Sequence, residues 1–279
     1  MNDVLLNRKK IIKFINTDEK KKHKNQGYTT EQIHKIIDVC DERTKAIILI
    51  FASTGIRLSA LITLKIGDLK RIKLDDFELY EVTVYQGYRD EYTTFCTPEC
   101  VNVIDSYLAY RKRCGEQLKD NAPLIREQFD ATDPFRVKHP KHLSIITIAK
   151  ILRLKIIQAG LREVIHVGND EGSKYRKDVP LVHGFRKFFN TALMNADVNL
   201  TFKELLMGHS LKLDDVYYDK NNKKSQAKLL NEYCKAIDYL TISEENRLKI
   251  KVEQLTVEKS QMDELQAQID RLRELIKIP

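Results

Sequence analysis

His183-Gly184-Phe185-Arg186 is followed by Gly208-His209-Ser210 and, nine residues after that second histidine, by Tyr218. Upstream, Thr54-Gly55-Ile56-Arg57 supplies another arginine. Two arginines, two histidines and a tyrosine in this order suit attack on a phosphodiester. Breaking that bond through a five-coordinate transition state builds negative charge on the non-bridging oxygens. Planar guanidinium groups meet such oxygens with paired hydrogen bonds and stay charged at any working pH. Arg57 and Arg186 fit that task. A tyrosine hydroxyl, with an unperturbed pKa of about 10, needs a base or a strongly positive site to attack. His183 and His209 are the candidate base and phosphate hydrogen-bond donor.

Each residue also has a plainer reading. An arginine after Gly-Ile can simply sit in a turn or cap a helix. Gly-His-Ser can be a helix stop, with the histidine favoured near the helix C-terminus. Tyr217 and Tyr218 can both be core aromatics. The conjunction, in order and on a basic chain without an obvious metal site, favours the chemical reading.

Thr54-Gly55-Ile56-Arg57-Leu58-Ser59, His183-Gly184-Phe185-Arg186, Leu206-Met207-Gly208-His209-Ser210 and Tyr218 together resemble the tyrosine recombinase (phage integrase) family, most closely its archaeal integrases. The similarity covers roughly residues 28–240. It implies a mainly α fold with a small antiparallel β-sheet (α+β), like the family's catalytic domain. It also implies that Arg57 and Arg186 bind the phosphate, that His183 stands beside the nucleophile, that His209 is the second histidine, and that Tyr218 becomes linked to the 3′ phosphate. The family conserves the bond energy in that link, so neither ATP nor a metal is implied. The family's usual spacing of nine residues after the second histidine selects Tyr218 over Tyr217.

Two departures from the family pattern stand out. The family carries a lysine on a β-hairpin between its first two boxes, where it protonates the leaving 5′ oxygen. The alternating segment Glu81–Phe95, with Gly87 near its centre, predicts that hairpin but holds no lysine. Arg89 is the nearest cationic substitute, able to stabilise the leaving oxygen but a poor proton donor. Ala60 stands where many relatives have an acidic residue three positions after the first arginine.

Composition agrees with a polyanionic partner, double-stranded DNA. Forty-eight Lys plus Arg against forty Asp plus Glu give a net charge of +8 and a pI near 9.0. The longest apolar run, Ala46 to Ala52, is too short to span a bilayer, and the amino terminus lacks a secretion signal, so a cytoplasmic location is expected. Cysteines 40, 96, 100, 114 and 234 form no paired zinc signature and read as reduced thiols. His139 and His142 read as loop residues.

Three parts are expected along the chain. Residues 1–27 form a basic arm, 28–242 the catalytic unit, and 243–279 an amphipathic C-terminal helix. Within the middle part, Thr29-Thr30-Glu31-Gln32 predicts a capping box. Helices are expected over 42–53, 57–65, Pro98 to Cys114 and Ser144 to Gly160, and again around Arg186, after a polar stretch from Gly168 to Lys177. The helical core-binding domain that precedes the family's catalytic half is not expected ahead of Thr29. In the tail, Leu248, Val252, Leu255, Met262, Leu265, Ile269, Leu272 and Ile276 mark an apolar seam, interrupted at Lys259 and at the short step from Met262 to Leu265. Self-association through that seam is the sharper expectation; a helix folded back on its own domain is the plainer one. Two further functional readings stay open: nicking and rejoining like a type IB topoisomerase, and a non-catalytic DNA-binding or interfering fragment.

Overall fold

The computed structural model describes residues 26–74, 77–162, 181–209 and 222–276. Residues 1–25 of the basic arm, the polar stretch from Gly168 to Lys177, Tyr217 and Tyr218 lie outside the described residues.

Helix α1 (Thr30–Asp38) starts as its capping box requires, because the Thr29 hydroxyl accepts from Gln32 N–H and Gln32 accepts from Thr29 N–H. Helix α2 (Glu42–Thr54) is capped by Asp41 and is buried on every side from Ala46 to Thr54. A helix apolar all round belongs in the centre of a core. Helix α3 (Leu58–Thr63) and a short 3₁₀ turn (Ile66–Asp68) lead to strand β1 (Leu69–Lys73). Strands β2 (Glu78–Val84) and β3 (Tyr92–Cys96) complete an antiparallel sheet in the order β1-β2-β3. Val82 stands opposite both Leu69 and Thr94.

Helix α4 (Pro98–Arg113) follows with Thr97 as its cap and proline in its first turn, where no intrahelical N–H is needed. Next come α5 (Pro134–Lys138), α6 (Ile145–Gln158) capped by Ser144, α7 (Leu181–Asn195), α8 (Leu200–Leu206), α9 (Lys223–Cys234), α10 (Ile237–Leu240) and the long α11 (Glu244–Ile276). Helix α2 packs against α4, α7 and β3, so the core wraps around it, and α6 and α10 cover the outer side of α7. The expected mainly α fold with a small antiparallel sheet is what the structure has.

The hairpin lies where the alternation places it. Strand β1 is an addition to the sequence reading: Leu69-Lys70-Arg71-Ile72-Lys73 is mostly charged and only partly buried, so its sequence carries no strong strand pattern. His139 follows α5 with its ring stacked on Phe135, and His142 bridges to Arg126. Cys96 and Cys100 are buried, the other three cysteines partly so, and all five are free. No group of metal-ligating side chains occurs among the described residues. No described helix is long and apolar enough to cross a membrane.

Two carboxylates pin parts of the frame. After α4, Glu116 accepts from Arg111 Nε and Nη2 at 3.1 and 2.5 Å and from Arg126 Nη1 at 2.6 Å, all three side chains being buried. The two guanidiniums also donate to the carbonyls of Pro123, Leu124, Arg136 and Val137, fixing the segment between α4 and α5. At the carboxyl end, Ile242 and Ser243 N–H donate to the Glu99 carboxylate, and every described side chain from Leu248 to Leu272 on α11 is exposed.

A candidate phosphate-binding site

The site forms where α2, α7 and α8 end or begin against β3. Helix α2 stops at Gly55, which adopts φ +60. A Cβ there would stand 2.3 Å from the Phe189 ring, so glycine is required both for the left-handed turn and for the close packing of α7. The turn is held from several sides: Thr54 Oγ1 donates to Ile50 O, Thr94 Oγ1 to Thr54 O, and Tyr233 OH to Ser53 O. Ile56 is buried and Arg57 becomes the N-cap of α3, with its exposed side chain reaching the Gly208 carbonyl at 3.5 Å.

Helix α8 stops in the same manner. His209 N–H donates to Glu204 O and Gly208 N–H to Leu205 O, the paired bonds that close a helix on a left-handed residue, here Gly208 at φ +62. A Cβ on Gly208 would meet the Tyr92 ring at 2.4 Å. The plain reading of Gly-His-Ser as a helix stop is therefore correct for the backbone. It does not exhaust the role of the histidine.

Arg186, on the inner face of α7, links the two stops. Its Nη1 donates to Gly55 O and its Nη2 to Met207 O, both at 2.6 Å, and Nη2 also approaches His209 Nε2 at 2.7 Å. It is 7% exposed. Desolvation and the adjacent Arg57 charge lower its pKa from the ordinary guanidinium value, opposed by Tyr92 and Glu204. A guanidinium titrates far above neutrality, so the group stays charged. Two neighbouring cations that repel each other, with no carboxylate among the described residues hydrogen-bonded to either, form a site with an appetite for an anion.

His209 turns Nδ1 toward Glu204 Oε2 at 2.5 Å. Desolvation raises the Glu204 pKa, but the hydrogen bond and charge of His209 and the neighbouring Lys203 outweigh it and hold it below the usual carboxyl value. Tyr92 closes the floor. Its hydroxyl is buried, and burial pushes its pKa up to about 12 against the pull of Arg186 and Arg57.

Of the residues singled out from sequence, the structure brings Arg57, Arg186 and His209 together. His183 lies one turn before Arg186 on α7 and is exposed; partial desolvation, then the charges of Lys187 and Arg186, hold its pKa below the ordinary imidazole value. Arg89 sits at the exposed turn between β2 and β3, while the base of that hairpin is tied to the Arg57 turn through Ser59 Oγ and Tyr85 OH at 2.9 Å. Ala60 is fully buried in α3. Glu204, Tyr92 and Tyr85 escaped the sequence reading. For Glu204 a signal existed, since a glycine closing α8 brings the residue five before the histidine back to it. A cavity of about 260 Å³ bordered by Arg43, Tyr107, Tyr110 and Phe129 lies instead around the amino-terminal end of α2.

Residues 27–225 match the model of the phage integrase family. Over 187 residues the chain is 26% identical to the tyrosine recombinase XerC of Caldanaerobacter subterraneus subsp. tengcongensis, a match that covers 65% of this chain and 43% of that protein. The chain therefore spans less than half the length of this curated relative. Among solved structures, the XerA recombinase aligns at a TM-score of 0.49 and 20% identity, over 76% of this chain and 65% of that one. The XerH site-specific recombinase bound to its difH substrate aligns at 0.47 and 19%, over 72% and 51%. Both are loose likenesses of fold.

Proposed function

The chain belongs to the phage integrase family, and on that premise we propose that it is a site-specific DNA recombinase that cleaves and rejoins double-stranded DNA through a 3′-phosphotyrosyl intermediate. The observation that carries this reading is the convergence of Arg57 and Arg186, two guanidiniums with no carboxylate hydrogen-bonded to them among the described residues, with His209 at the junction of three helix ends.

In the proposed reaction the Tyr218 oxygen attacks the phosphorus and its proton passes to His183, whose lowered pKa leaves it free to accept one near neutrality. The bond to the 5′ oxygen breaks as the tyrosyl bond forms. Arg57 and Arg186 hold the two non-bridging oxygens through the transition state. Arg89 stabilises the departing 5′ oxygen by charge, and solvent delivers its proton. Attack by the 5′ hydroxyl of another strand reverses the steps. No cofactor or metal enters this scheme.

The lysine-free hairpin favours one other reading, a DNA-binding member that interferes with an intact recombinase. A nicked suicide duplex separates the two. The recombinase forms a covalent adduct without added metal, loses it in Tyr218→Phe and keeps it in Tyr217→Phe; an adduct mapped to Tyr217 overturns the assignment, and binding without any adduct favours the interfering reading. Strand exchange between two duplexes then separates recombination from topoisomerase-like relaxation.

The exposed seam on α11, from Leu248 at 57% to Leu272 at 59%, supports pairing with a second copy. Leu265→Lys with Leu272→Lys then shifts sedimentation toward monomer and leaves half-site cleavage intact. A wild-type monomer at all concentrations, with and without DNA, overturns that part.

A further inference from the structure

We propose that Glu204 is a positioning residue that fixes the tautomer of His209 and couples proton uptake on its imidazole to phosphate binding. The inference rests on the reading of the site as a phosphate cradle. Its geometry comes from the end of α8. Because Gly208 turns the chain back, the backbone of His209 bonds to the Glu204 carbonyl at 2.9 Å while its ring bonds to the Glu204 carboxylate at 2.5 Å. The same two residues are tied twice, which leaves the ring little freedom to turn.

The opposite edge of the ring fixes the proton. Arg186 has only donors, so at 2.7 Å the His209 Nε2 must present its lone pair, and the proton must sit on Nδ1 and point at Glu204. With Arg186 donating to Nε2, His209 is therefore an acceptor on the side that faces the arginines. It cannot donate to a phosphate in that state.

A phosphate oxygen competes with Nε2 for the Arg186 Nη2 donor, whose other bond goes to Met207 O. Once the oxygen takes that donor, a lone pair on Nε2 would face the oxygen's own lone pairs. Uptake of one proton from solvent removes the conflict. The imidazolium then donates from Nε2 to phosphate and from Nδ1 to Glu204, and the carboxylate balances the new charge. Arg186 from α7 and Arg57 from the α2–α3 turn oppose the cation, Lys203 at 3.4 Å draws on the other Glu204 oxygen, and the Tyr92 ring from β3 covers Gly208 without charge. The bound phosphate adds to Glu204 in favouring it. Ala60 supplies no carboxylate on the α3 side, which leaves this duty to α8.

The test reads the proton directly. Full-length protein carrying ¹⁵N-labelled histidine is titrated by NMR as wild type, Glu204→Gln and Glu204→Ala, with His209 assigned from a His209→Asn control. Wild type is expected to show the Nδ1–H tautomer, with a protonation midpoint that rises when a duplex of the target sequence is added. Glu204→Gln keeps an acceptor for Nδ1 but lacks the charge, so its tautomer stays and its midpoint falls by about one pH unit. Single-turnover cleavage by that variant then drops about tenfold above both midpoints and converges with wild type at lower pH. Glu204→Ala loses the tautomer preference as well. A tautomer and midpoint unchanged in both variants overturn the proposal, and so does a wild-type midpoint that ignores DNA that is bound. Failure of the wild type to form any covalent adduct would instead overturn the enzymatic reading, and leave the tautomer result standing.

Discussion

The molecule holds two arginine pairs with opposite fates. Arg111 and Arg126 are fully buried, share one carboxylate in Glu116, and donate further to four main-chain carbonyls. Among the described residues, no carboxylate is hydrogen-bonded to Arg57 or Arg186; Arg186 is held by two carbonyls and Arg57 reaches one at 3.5 Å. The first pair organises a loop. The second is positioned by the backbone while its charge is left for something from outside. Residue type does not distinguish the two pairs. What distinguishes them is whether the protein itself supplies the anion.

Removing the internal anion should have the largest effect. Glu116→Ala leaves two buried guanidiniums facing each other and is expected to cost about 3–5 kcal/mol in urea unfolding, while cleavage per folded molecule stays unchanged. A cost below about 1 kcal/mol would mean that the carbonyls alone hold the loop. At the other pair the pattern should invert. Arg57→Lys is expected to lower single-turnover cleavage by about 10²–10³, as the loss of a transition-state donor does, yet change stability by less than about 0.5 kcal/mol because its side chain is exposed. Equal losses of stability at Arg57 and Glu116 would erase the distinction.

A smaller effect separates the shape of the cradle from its charge. Gly208→Ala puts a Cβ into the Tyr92 ring and forces a left-handed residue, so about 1–3 kcal/mol of stability should be lost. Cleavage should fall with it, since the same turn aims His209. Normal cleavage by a destabilised variant would show that the ring is held from the Arg186 side alone.

The smallest effect is a dependence on pH. Glu204 is depressed in the folded state, so its contribution is present above the unfolded carboxyl value of 4.5 and is lost as pH falls through the lower folded value. Because the pair is partly solvated, that contribution should stay below about 1 kcal/mol. The melting-temperature difference between wild type and Glu204→Gln should therefore close in acid. A gap that persists below both values would assign the effect of Glu204 to packing.

The sequence by itself determined the local structure. Thr29 with Gln32, Asp41, Thr97 before Pro98, and Ser144 begin helices because their side chains answer the first free N–H groups, and Gly55 and Gly208 end them because other residues resist φ near +60. The spacing of Arg57, His183, Arg186, His209 and Tyr218 also carried the family. Only the tertiary structure decided which charges are neutralised. Glu116, five residues beyond Arg111, and Glu204, five before His209, look alike as surface carboxylates in a chain with forty of them. Packing buried one between two arginines and set the other behind a histidine. Tyr92 came to rest under Gly208 because β3, paired locally with β2, also meets α8, which is distant in sequence. Burial and charge pairing depend on which segments meet, and a one-dimensional pattern fixes the faces of its elements without fixing their neighbours.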